Sequence, residues 1–309
     1  MSLFEEITHL DTEATCDASR NIDVQSTAEI LDVINREDQK VALAVREEIT
    51  HIAAAVDVLV ENFKRGGRLF YFGAGTSGRL GVVDAAECPP TFGTDPELVR
   101  GIIAGGDAAM FVAQEGAEDD PAGAQKYFDQ YQIGKNDTVI GIAASGRTPF
   151  VLGALRIAKS LNLNTVMITT VKRAHTAHLA AIADIIIAPY VGAEVVAGST
   201  RMKSGTAQKL VLNMLTTATM VRLGKTYGNI MVDLQLTNLK LHERAKNIIM
   251  KIAGTTYEDA ASLLRETGGN VKIALVMAIE KVPCTKAREM LEAADGKIRY
   301  ALKINDLEK

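Results

Sequence analysis

Five short apolar runs, separated by stretches of helical spacing, constrain the fold of this chain more than any other feature. The runs are four to seven residues long, rich in Val, Ile or Phe, and cover Leu69–Phe72, Leu98–Ala104, Thr138–Ala143, Thr165–Thr170 and Ile185–Pro189. Strands that are apolar throughout are buried on both faces, as happens when crossover helices cover a parallel sheet. The sequence therefore predicts an α/β fold with a doubly wound, five-stranded parallel sheet flanked by helices.

Two helices are predicted ahead of the first strand. Apolar residues recur at helical spacing from Ile30 to Leu59, and the segment from Ser26 to Glu29 has the pattern of a capping box. The preceding residues 1–25 are polar and weakly periodic, so they are predicted to form an arm that must dock elsewhere to become ordered.

The C-terminal part of the chain is predicted to be helical. Apolar residues continue at helical spacing from Lys203 to about Ile252. After Gly254, glycines and a proline break the pattern into segments with the size of a three-helix module. We therefore expect a sheet domain with its arm and helices over residues 1–250, and a small helical, UBA-like module over residues 251–309.

The composition indicates a large core and no chain-wide electrostatic field. Hydrophobic residues make up 47% of the 309 positions, which is enough to bury a sizeable core. The 34 basic and 38 acidic residues are mixed along the chain and give a net charge of -4. We therefore expect no nucleic-acid and no membrane partner, and any anionic ligand must be held by local groups.

The cysteines and the N-terminal residues favour the cytoplasm. Cys16, Cys88 and Cys284 are odd in number, far apart and without metal-ligand spacing, which is typical of a reducing compartment. The first residues carry acidic side chains where a signal peptide has basic ones, and no apolar run approaches the roughly 18 residues of a membrane span. We expect a soluble cytoplasmic protein.

The turn after the first predicted strand has the composition of a phosphate cradle. Gly75-Thr76-Ser77-Gly78 follows the strand directly, and a helical pattern begins there. Glycines let the backbone approach a ligand, N–H groups at a helix start attract an anion, and the two hydroxyls add donors. A plain tight turn or a dinucleotide site has a similar pattern, although no acidic residue ends the next strand where a ribose would be bound.

The turn after the third predicted strand repeats these features. It contains Ser145-Gly146-Arg147-Thr148, and ligands of doubly wound sheets bind beyond such strand ends. Two hydroxyls, a glycine and an arginine therefore converge on the region next to the first turn. The alternatives are that Ser145 and Thr148 act only as helix caps and that Arg147 is a solvated surface charge.

The loop after the fifth predicted strand adds a third set of polar groups. It carries hydroxyls at Ser199 and Thr200 and cations at Arg201 and Lys203, and a long helix follows. Such a loop suits a phosphorylated or polyhydroxylated ligand.

These motifs together resemble a known family. A GTSG turn, an SGRT turn and an E-x-x-x-x-S-T loop before a helix are similar to the sugar isomerase (SIS) domain of aldose and ketose phosphate proteins. Within that group, LFYFGAGTSGRLGVVDAAECPPTFG, EGAEDD, GIAASGRTPFV and VGAEVVAGSTRMKSGTAQKLVLNMLTT resemble the N-acetylmuramic acid (MurNAc) 6-phosphate etherases. The resemblance covers about the whole chain and implies the SIS fold.

The resemblance implies a carbon–oxygen lyase of cell-wall amino sugar recycling and catabolism. Such an etherase removes the C2 proton of MurNAc 6-phosphate, expels D-lactate from C3, and adds water to the unsaturated aldehyde. The products are D-lactate and N-acetylglucosamine (GlcNAc) 6-phosphate. This chemistry requires no cofactor and no metal ion.

The resemblance also assigns the acid–base work to two glutamates. Carboxylates suit this work because one can accept a proton while another delivers one to the leaving oxygen. Glu87 is implied as the proton donor, and its small apolar neighbours predict a burial that would favour the protonated form. Glu118 is implied as the second catalytic group, the C2 base. Without the resemblance, Glu87 would be a surface residue where Pro89 and Pro90 stop a helix, and Glu118 would belong to a solvated acidic turn.

The position of Glu87 along the chain points to a dimer. Glu87 lies ten residues after Ser77. An unbroken helix rising about 1.5 Å per residue would place it about 15 Å from the cradle, which is too far for C3 of the same sugar. Either the segment bends back at Glu87, or a second subunit supplies it. Because SIS proteins are commonly dimers, we expect a homodimer.

Other candidates for the site and the function are open at this point. His242 is a candidate for sugar ring opening by analogy with related isomerases, with a structural role as the alternative. A sugar-phosphate isomerase is a competing function, against which the ECPP and EGAED segments argue. A non-catalytic sensor like the glucokinase regulatory protein is another, although that family joins two SIS domains in about twice this length. A transcription regulator would need a basic helix-turn-helix segment, which the sequence lacks.

Overall fold

The computed structural model describes residues 10–114, 116–234, 236 and 239–302. Contacts divide the chain into two units, of which the first contains residues 1–86 and 96–216 and the second contains residues 87–95 and 217–309. Residue 250, near which the sequence predicts a boundary, lies within the helix Leu239–Ala253, whose buried face belongs to the core of the second unit. That shared core explains why packing divides the chain earlier than the sequence pattern does.

The first unit begins with the arm and two helices. The arm is held by polar contacts: the backbone N–H of Lys172 donates to Asp11 Oδ2 at 2.9 Å, and Ser19 Oγ donates to the carbonyl of Val195 at 2.7 Å. The predicted docking of the arm is therefore confirmed for its described residues. Helices α1 (Thr27–Arg46) and α2 (Ile49–Lys64) follow as predicted, and α1 begins with the expected capping box.

The five predicted strands form one parallel sheet in the order β2-β1-β3-β4-β5. Their bounds are β1 Leu69–Gly73, β2 Val99–Ile103, β3 Thr138–Ile142, β4 Asn164–Ile168 and β5 Ile185–Ile187. Gly73 at the end of β1 pairs with Ile103 of β2 and with Ile142 of β3. Because these strands end in register, the loops that follow them leave the same edge of the sheet, as the sequence predicts.

Four further helices belong wholly or mainly to the first unit, and the last residues of two of them, 87–92 and 217–222, belong to the second. They are α3 (Gly75–Phe92), α4 (Gln125–Tyr131), α5 (Pro149–Ser160) and α6 (Lys203–Arg222). On one face of the sheet, Phe72 packs against Phe128 at a ring distance of 5.5 Å and against Phe150 at 6.0 Å. This apolar core fixes the strand ends from which the functional loops emerge.

The prediction that Pro89 and Pro90 stop a helix is wrong. Helix α3 continues through both prolines to Phe92. Proline removes a backbone donor but keeps its carbonyl, and the carbonyl of Pro89 still accepts from the N–H of Gly93 at 2.9 Å. The pair lies near the C-terminal end of α3, and the helix ends two residues after Pro90.

The prediction of continuous helical structure from Lys203 to Ile252 is also wrong. A short antiparallel hairpin of β6 (Thr226–Tyr227) and β7 (Ile230–Met231) follows α6. Gly224 and Gly228 have φ values of +77° and +58°, which glycine adopts at the end of a helix and in a tight hairpin turn. Both glycines are visible in the sequence and mark the interruption.

Helices dominate the second unit. They are α7 (Leu239–Ala253), α8 (Tyr257–Glu266), α9 (Val271–Glu280), α10 (Cys284–Ala293) and the short α11 (Ile298–Ala301). Three helices of ten residues each after Gly254 confirm the predicted module, to which α11 adds one turn. In the described ranges, no helix is both long and apolar enough to cross a membrane.

Candidate active site

A pocket of about 280 Å³ opens beyond the carboxyl ends of β1 and β2. Its lining includes Gly75 of the predicted cradle, the side chain of Arg79 one turn further along α3, and Glu118. The fold therefore brings the first predicted phosphate-binding turn and one of the two predicted catalytic glutamates to the same cavity.

Close packing explains the glycines of the cradle. A Cβ atom on Gly78 would lie 2.6 Å from Cγ1 of Ile103 and 2.8 Å from the carbonyl oxygen of Gly73. A Cβ atom on Gly73 would in turn lie 2.6 Å from the backbone nitrogen of Gly78. Only glycine lets the start of α3 approach the sheet this closely, and unpaired N–H groups in the first turn of a long helix can bind an anion.

The hydroxyl of Ser77 has a defined partner. Ser77 is buried, and its Oγ donates to Oε1 of Gln208 on α6 at 2.8 Å. Helix α6 approaches the cradle closely, because a Cβ atom on Gly205 would lie 3.3 Å from Cγ2 of Thr76. Gln208 was not predicted from the sequence, where it follows Ser77 by 131 positions.

The second predicted turn adopts a conformation that leaves donors for a ligand. Gly146 has a φ of +69°, and Ser145 Oγ accepts from the N–H of Arg147 at 3.2 Å, so the hydroxyl proton of Ser145 can still be donated. Thr148 is the N-cap of α5 without a side-chain capping bond. Arg147 is exposed. The capping alternative therefore does not account for Thr148.

Residues after β4 hold this turn in place. Thr169 Oγ1 donates to the carbonyl of Ala144 at 2.8 Å, and Thr170 Oγ1 lies 3.0 Å from Ser204 Oγ at the start of α6. Nε2 of His178 lies 3.1 Å from the carbonyl oxygen of Gly146. None of these three supporting side chains was predicted as part of the site.

The third predicted loop precedes α6 and is anchored by a buried glutamate. Glu194 is 1% exposed, and its carboxylate accepts from the N–H groups of Lys203 and Ser204 at 3.0 and 2.9 Å. Ser199 and Thr200 lie half-buried in the loop that Glu194 anchors. The glutamate of the E-x-x-x-x-S-T motif therefore caps the helix.

A buried ion pair with α1 also holds the first turn of α6. Lys203 Nζ lies 2.8 Å from Oε2 of Glu37 on α1, and both side chains are almost fully buried. Burial opposes the charged form of Glu37, but hydrogen bonds from Lys203 and Lys40 outweigh it and hold the pKa of Glu37 below its ordinary value. The sequence pattern suggested that the cation of Lys203 contacts a ligand, but in the structure it forms an ion pair with Glu37.

Arg79 connects the cradle to the loop after β2. Its Nε donates to the carbonyl of Met110 at 2.9 Å, and its Nη2 donates to the carbonyl of Ala109 at 2.7 Å. These bonds hold the guanidinium at the pocket that Glu118 also lines. The sequence signal for Arg79 was its position directly after the GTSG turn.

Glu118 and Glu87 have different environments. Glu118 is exposed at the pocket, and its carbonyl accepts from the N–H of Phe150 at 2.9 Å, which fixes its backbone against α5. Glu87 is also exposed, but it is not one of the described residues that line this pocket. Its segment, residues 87–95, belongs to the second unit.

Two predictions about Glu87 are wrong for the single chain. The predicted burial is absent because Glu87 is on an exposed part of α3, where Ala86 is exposed as well. The predicted alternative of a bend at Glu87 is excluded because α3 is one helix from Gly75 to Phe92. Supply of Glu87 by a second subunit stays a prediction.

A half-buried carboxylate that was not predicted as a site residue lies on α3 before Glu87. Asp84 accepts from the hydroxyl of Tyr71 at 3.0 Å and from that of Thr216 at 3.1 Å. Burial raises the pKa of Asp84 from 3.8 to about 6, and these hydrogen bonds and the charge of Lys209 oppose the increase only in part. Asp84 therefore titrates near neutral pH.

The remaining candidates lie elsewhere. His242 is exposed in the first turn of α7, in the second unit. Over the residues that the structure describes, no group of three or more His, Cys, Asp or Glu side chains could hold a metal ion.

Comparison with known proteins gives one consistent result. The chain is 54% identical over 302 residues to the N-acetylmuramic acid 6-phosphate etherase of Salinibacter ruber, which covers 97% of this chain and 96% of that protein. It is 51% identical to the same enzyme of Clostridium botulinum, which covers 95% of this chain and 96% of that one. Residues 51–159 match the model of the glucokinase regulatory protein N-terminal SIS domain.

Solved structures show more distant similarity. The phosphoheptose isomerase of Neisseria gonorrhoeae gives a TM-score of 0.48 at 15% identity, with 63% of this chain and 98% of that chain covered. The phosphoheptose isomerase of Francisella tularensis gives 0.45 at 15% identity, with 62% and 100% covered. The assignment rests on the full-length relatives: with more than half of its residues identical over nearly all of both chains, the chain belongs to the N-acetylmuramic acid 6-phosphate etherase family.

Proposed function

We propose that this protein cleaves the D-lactyl ether of MurNAc 6-phosphate and releases D-lactate and GlcNAc 6-phosphate. The observation that carries the proposal is the 54% identity to an etherase of this name over 97% of the chain. The pocket supports it, because Gly75 of the proposed phosphate-binding turn and Glu118 line one cavity beyond the strand ends. The isomerase and the sensor considered from the sequence are not favoured.

The phosphate of the substrate is expected at the start of α3. The N–H groups of residues 75–77 and the hydroxyls of Thr76 and Ser77 are the proposed donors, whereas the N–H of Gly78 donates to the carbonyl of Ala74 at 3.1 Å. Ser145 and Thr148 extend this donor set from the neighbouring strand end, together with Gly146 and Arg147. Ser199 and Thr200 are assigned to the sugar hydroxyls. With its phosphate held in this way, the sugar ring lies toward the cavity that Glu118 lines.

The reaction requires two proton transfers in sequence. In the ring-opened sugar the aldehyde acidifies the C2 proton, and we assign its removal to the Glu118 carboxylate. The C3–O bond then breaks, its electron pair goes to the lactyl oxygen, and Glu87 delivers a proton to that oxygen. Water adds across the resulting C2–C3 double bond, with its oxygen on C3 and a proton returned to C2. His242 is kept as a candidate for ring opening.

The distance between Glu87 and the cradle of its own chain supports a homodimer. An intact helix rising about 1.5 Å per residue separates Glu87 from Ser77 by about 15 Å, so a single chain cannot present both to one sugar along α3 alone. We therefore assign Glu87 to the site of a second copy of the chain. The cytoplasm is the proposed compartment, where phosphorylated sugars are kept.

The function is tested by incubating the purified protein with MurNAc 6-phosphate. Release of equal amounts of D-lactate and GlcNAc 6-phosphate is the expected result. Unphosphorylated MurNAc serves as the matched substrate and should react poorly, because phosphate binding positions the ring for reaction. An isomerised product without lactate would replace the etherase assignment with an isomerase, and binding without any product would favour a sensor.

The shared site is tested by mixing two inactive variants. Glu87→Ala and Glu118→Ala are each expected to be inactive as homodimers, but a mixed dimer contains one site with both glutamates. Random reassociation should therefore restore about a quarter of the parent activity per dimer. Each variant mixed with itself is the control. No recovery after subunit exchange, verified with differently tagged copies, would place both glutamates in one chain's site.

A further inference from the structure

The Ser77 hydroxyl, as it stands, is not ready to bind a phosphate. A serine hydroxyl has one proton, and that of Ser77 is donated to Oε1 of Gln208 at 2.8 Å. Phosphate oxygens accept hydrogen bonds, so they need this proton. Ser77 must therefore change its partner when an anion enters the cradle.

Gln208 has the group that this change requires. Its side chain is 1% exposed, and its Nε2 is buried without a hydrogen-bond partner among the described residues. A buried, unpaired amide N–H₂ is costly, whereas a carbonyl oxygen tolerates under-pairing better. In this orientation the oxygen of the amide is satisfied and its nitrogen is not.

A half-turn of the Gln208 amide about its last side-chain bond exchanges the two groups. Nε2 then lies where Oε1 lay and donates to Ser77 Oγ, and the Ser77 proton is released toward the cradle. The two side chains stay within reach because α6 packs closely on the cradle through the contact of Gly205 with Thr76. No backbone movement is needed.

We propose that Gln208 is a positioning residue that sets the hydrogen-bond state of Ser77 according to whether a phosphoryl group is bound. In the orientation that the structure shows, its amide oxygen accepts the Ser77 proton. In the occupied site its amide nitrogen donates to Ser77 Oγ, and Ser77 donates to the phosphoryl oxygen. This role rests on the proposed function only in taking the ligand to be a phosphorylated sugar.

The proposal predicts different effects on phosphate binding for two substitutions of Gln208 that are similar in size. Glutamate at position 208 can only accept, so it would keep the Ser77 proton and add a negative charge beside the anion. Methionine cannot donate and its sulfur accepts only weakly, so the Ser77 proton would be available to the phosphate. A merely structural glutamine also predicts weaker binding for the Glu variant, because of its charge, but it predicts the same loss with and without the Ser77 hydroxyl.

The experiment measures binding of GlcNAc 6-phosphate by calorimetry and the separate values of KM and kcat for the etherase reaction. Gln208→Glu should weaken binding and raise KM about 10²-fold, the effect of losing a hydrogen bond to a charged group. Gln208→Met should weaken binding less than 10-fold, with kcat near the parent value. Gln39→Glu, on the exposed face of α1, controls for the change in charge.

A double variant identifies the Ser77 proton as the cause. In a Ser77→Ala background, Gln208→Glu should weaken binding markedly less than it does in the parent, because the proton it would hold is gone. An equal effect in both backgrounds, or a Met variant that binds as poorly as the Glu variant, would overturn the proposal. If the parent releases no lactate but binds GlcNAc 6-phosphate with this order of variants, the proposed function fails while the role of Gln208 stands.

Discussion

The half-buried carboxylate of Asp84 makes the stability of the protein depend on pH in a direction that can be measured. Burial raises the pKa of Asp84 from 3.8 to about 6, with hydrogen bonds from Tyr71 and Thr216 opposing. The folded state therefore binds a proton in a pH range where the unfolded state does not. This contribution to stability is fully present below pH 3.8 and is lost as the pH rises through about 6.

The magnitude follows from the two pKa values. Between pH 8 and pH 5, linkage gives the folded parent a gain of about 1.4 kcal/mol from Asp84. The side-chain amide of the variant Asp84→Asn cannot take up this proton, yet it can keep a hydrogen bond to either hydroxyl. The free energy of unfolding of the parent relative to the variant should therefore increase by about 1.4 kcal/mol on going from pH 8 to pH 5.

Urea unfolding followed by circular dichroism at several pH values between 5 and 8 measures this difference. The matched control is Asp129→Asn, which changes an exposed carboxylate on α4 and should give a difference that does not vary in the same way. A parent-to-variant difference that is flat with pH would refute the effect of burial. A difference that grows as the pH rises would mean that Tyr71, Thr216 and Lys209 stabilise the charged form instead.

Two further predictions concern the cradle and the helical module. Ser77→Ala and Ser145→Ala should each weaken GlcNAc 6-phosphate binding by about 10-fold or more in calorimetry, since each removes a hydrogen bond to a charged group, and unchanged affinity would remove these serines from the site. Ser160→Ala, at the exposed end of α5, is the control. Deletion of residues 254–309 should leave the sheet detectable by circular dichroism but abolish assembly or lactate release, because it uncovers the buried face of α7. A truncated protein that stays dimeric and fully active would contradict this.

The sheet and the cradle could be predicted because their signals are local. A strand covered on both faces needs a continuous apolar run, and the start of α3 needs glycines at Gly73 and Gly78 to approach the sheet. Each of these requirements is visible within a few residues of the sequence. The positions of the five strands were therefore predicted correctly, with differences only at their ends.

The partners of the site residues could not be predicted in this way. Gln208 reaches Ser77 across 131 positions, and Glu37 reaches Lys203 across 166, so no spacing rule relates them. The burial of Asp84 likewise depends on Tyr71 and Thr216 on other elements. The hairpin after α6 is different, since Gly224 and Gly228 mark it in the sequence although the residues around them have helical spacing.

The roles of the two glutamates can be separated because an elimination through an enolate has two steps. Glu118→Ala removes the proposed C2 base, so it should lose both exchange of the C2 hydrogen with solvent deuterium and release of lactate. Glu87→Ala removes only the acid that protonates the departing oxygen, so exchange at C2 should persist while lactate release stops. Each loss should be about 10² to 10⁴-fold in rate, as is typical for a general acid or base.

One NMR sample in deuterated water, with a parallel lactate assay, measures both steps for each variant. Glu61→Ala, an exposed glutamate on α2, is the control for removing a surface carboxylate and should behave as the parent. If Glu87→Ala loses exchange and Glu118→Ala keeps it, the two roles are reversed. If both variants release lactate normally, neither glutamate is catalytic. The position of Glu118 at the pocket beside the cradle is the reason to expect the first pattern, because the base must reach C2 of a sugar whose phosphate the start of α3 holds.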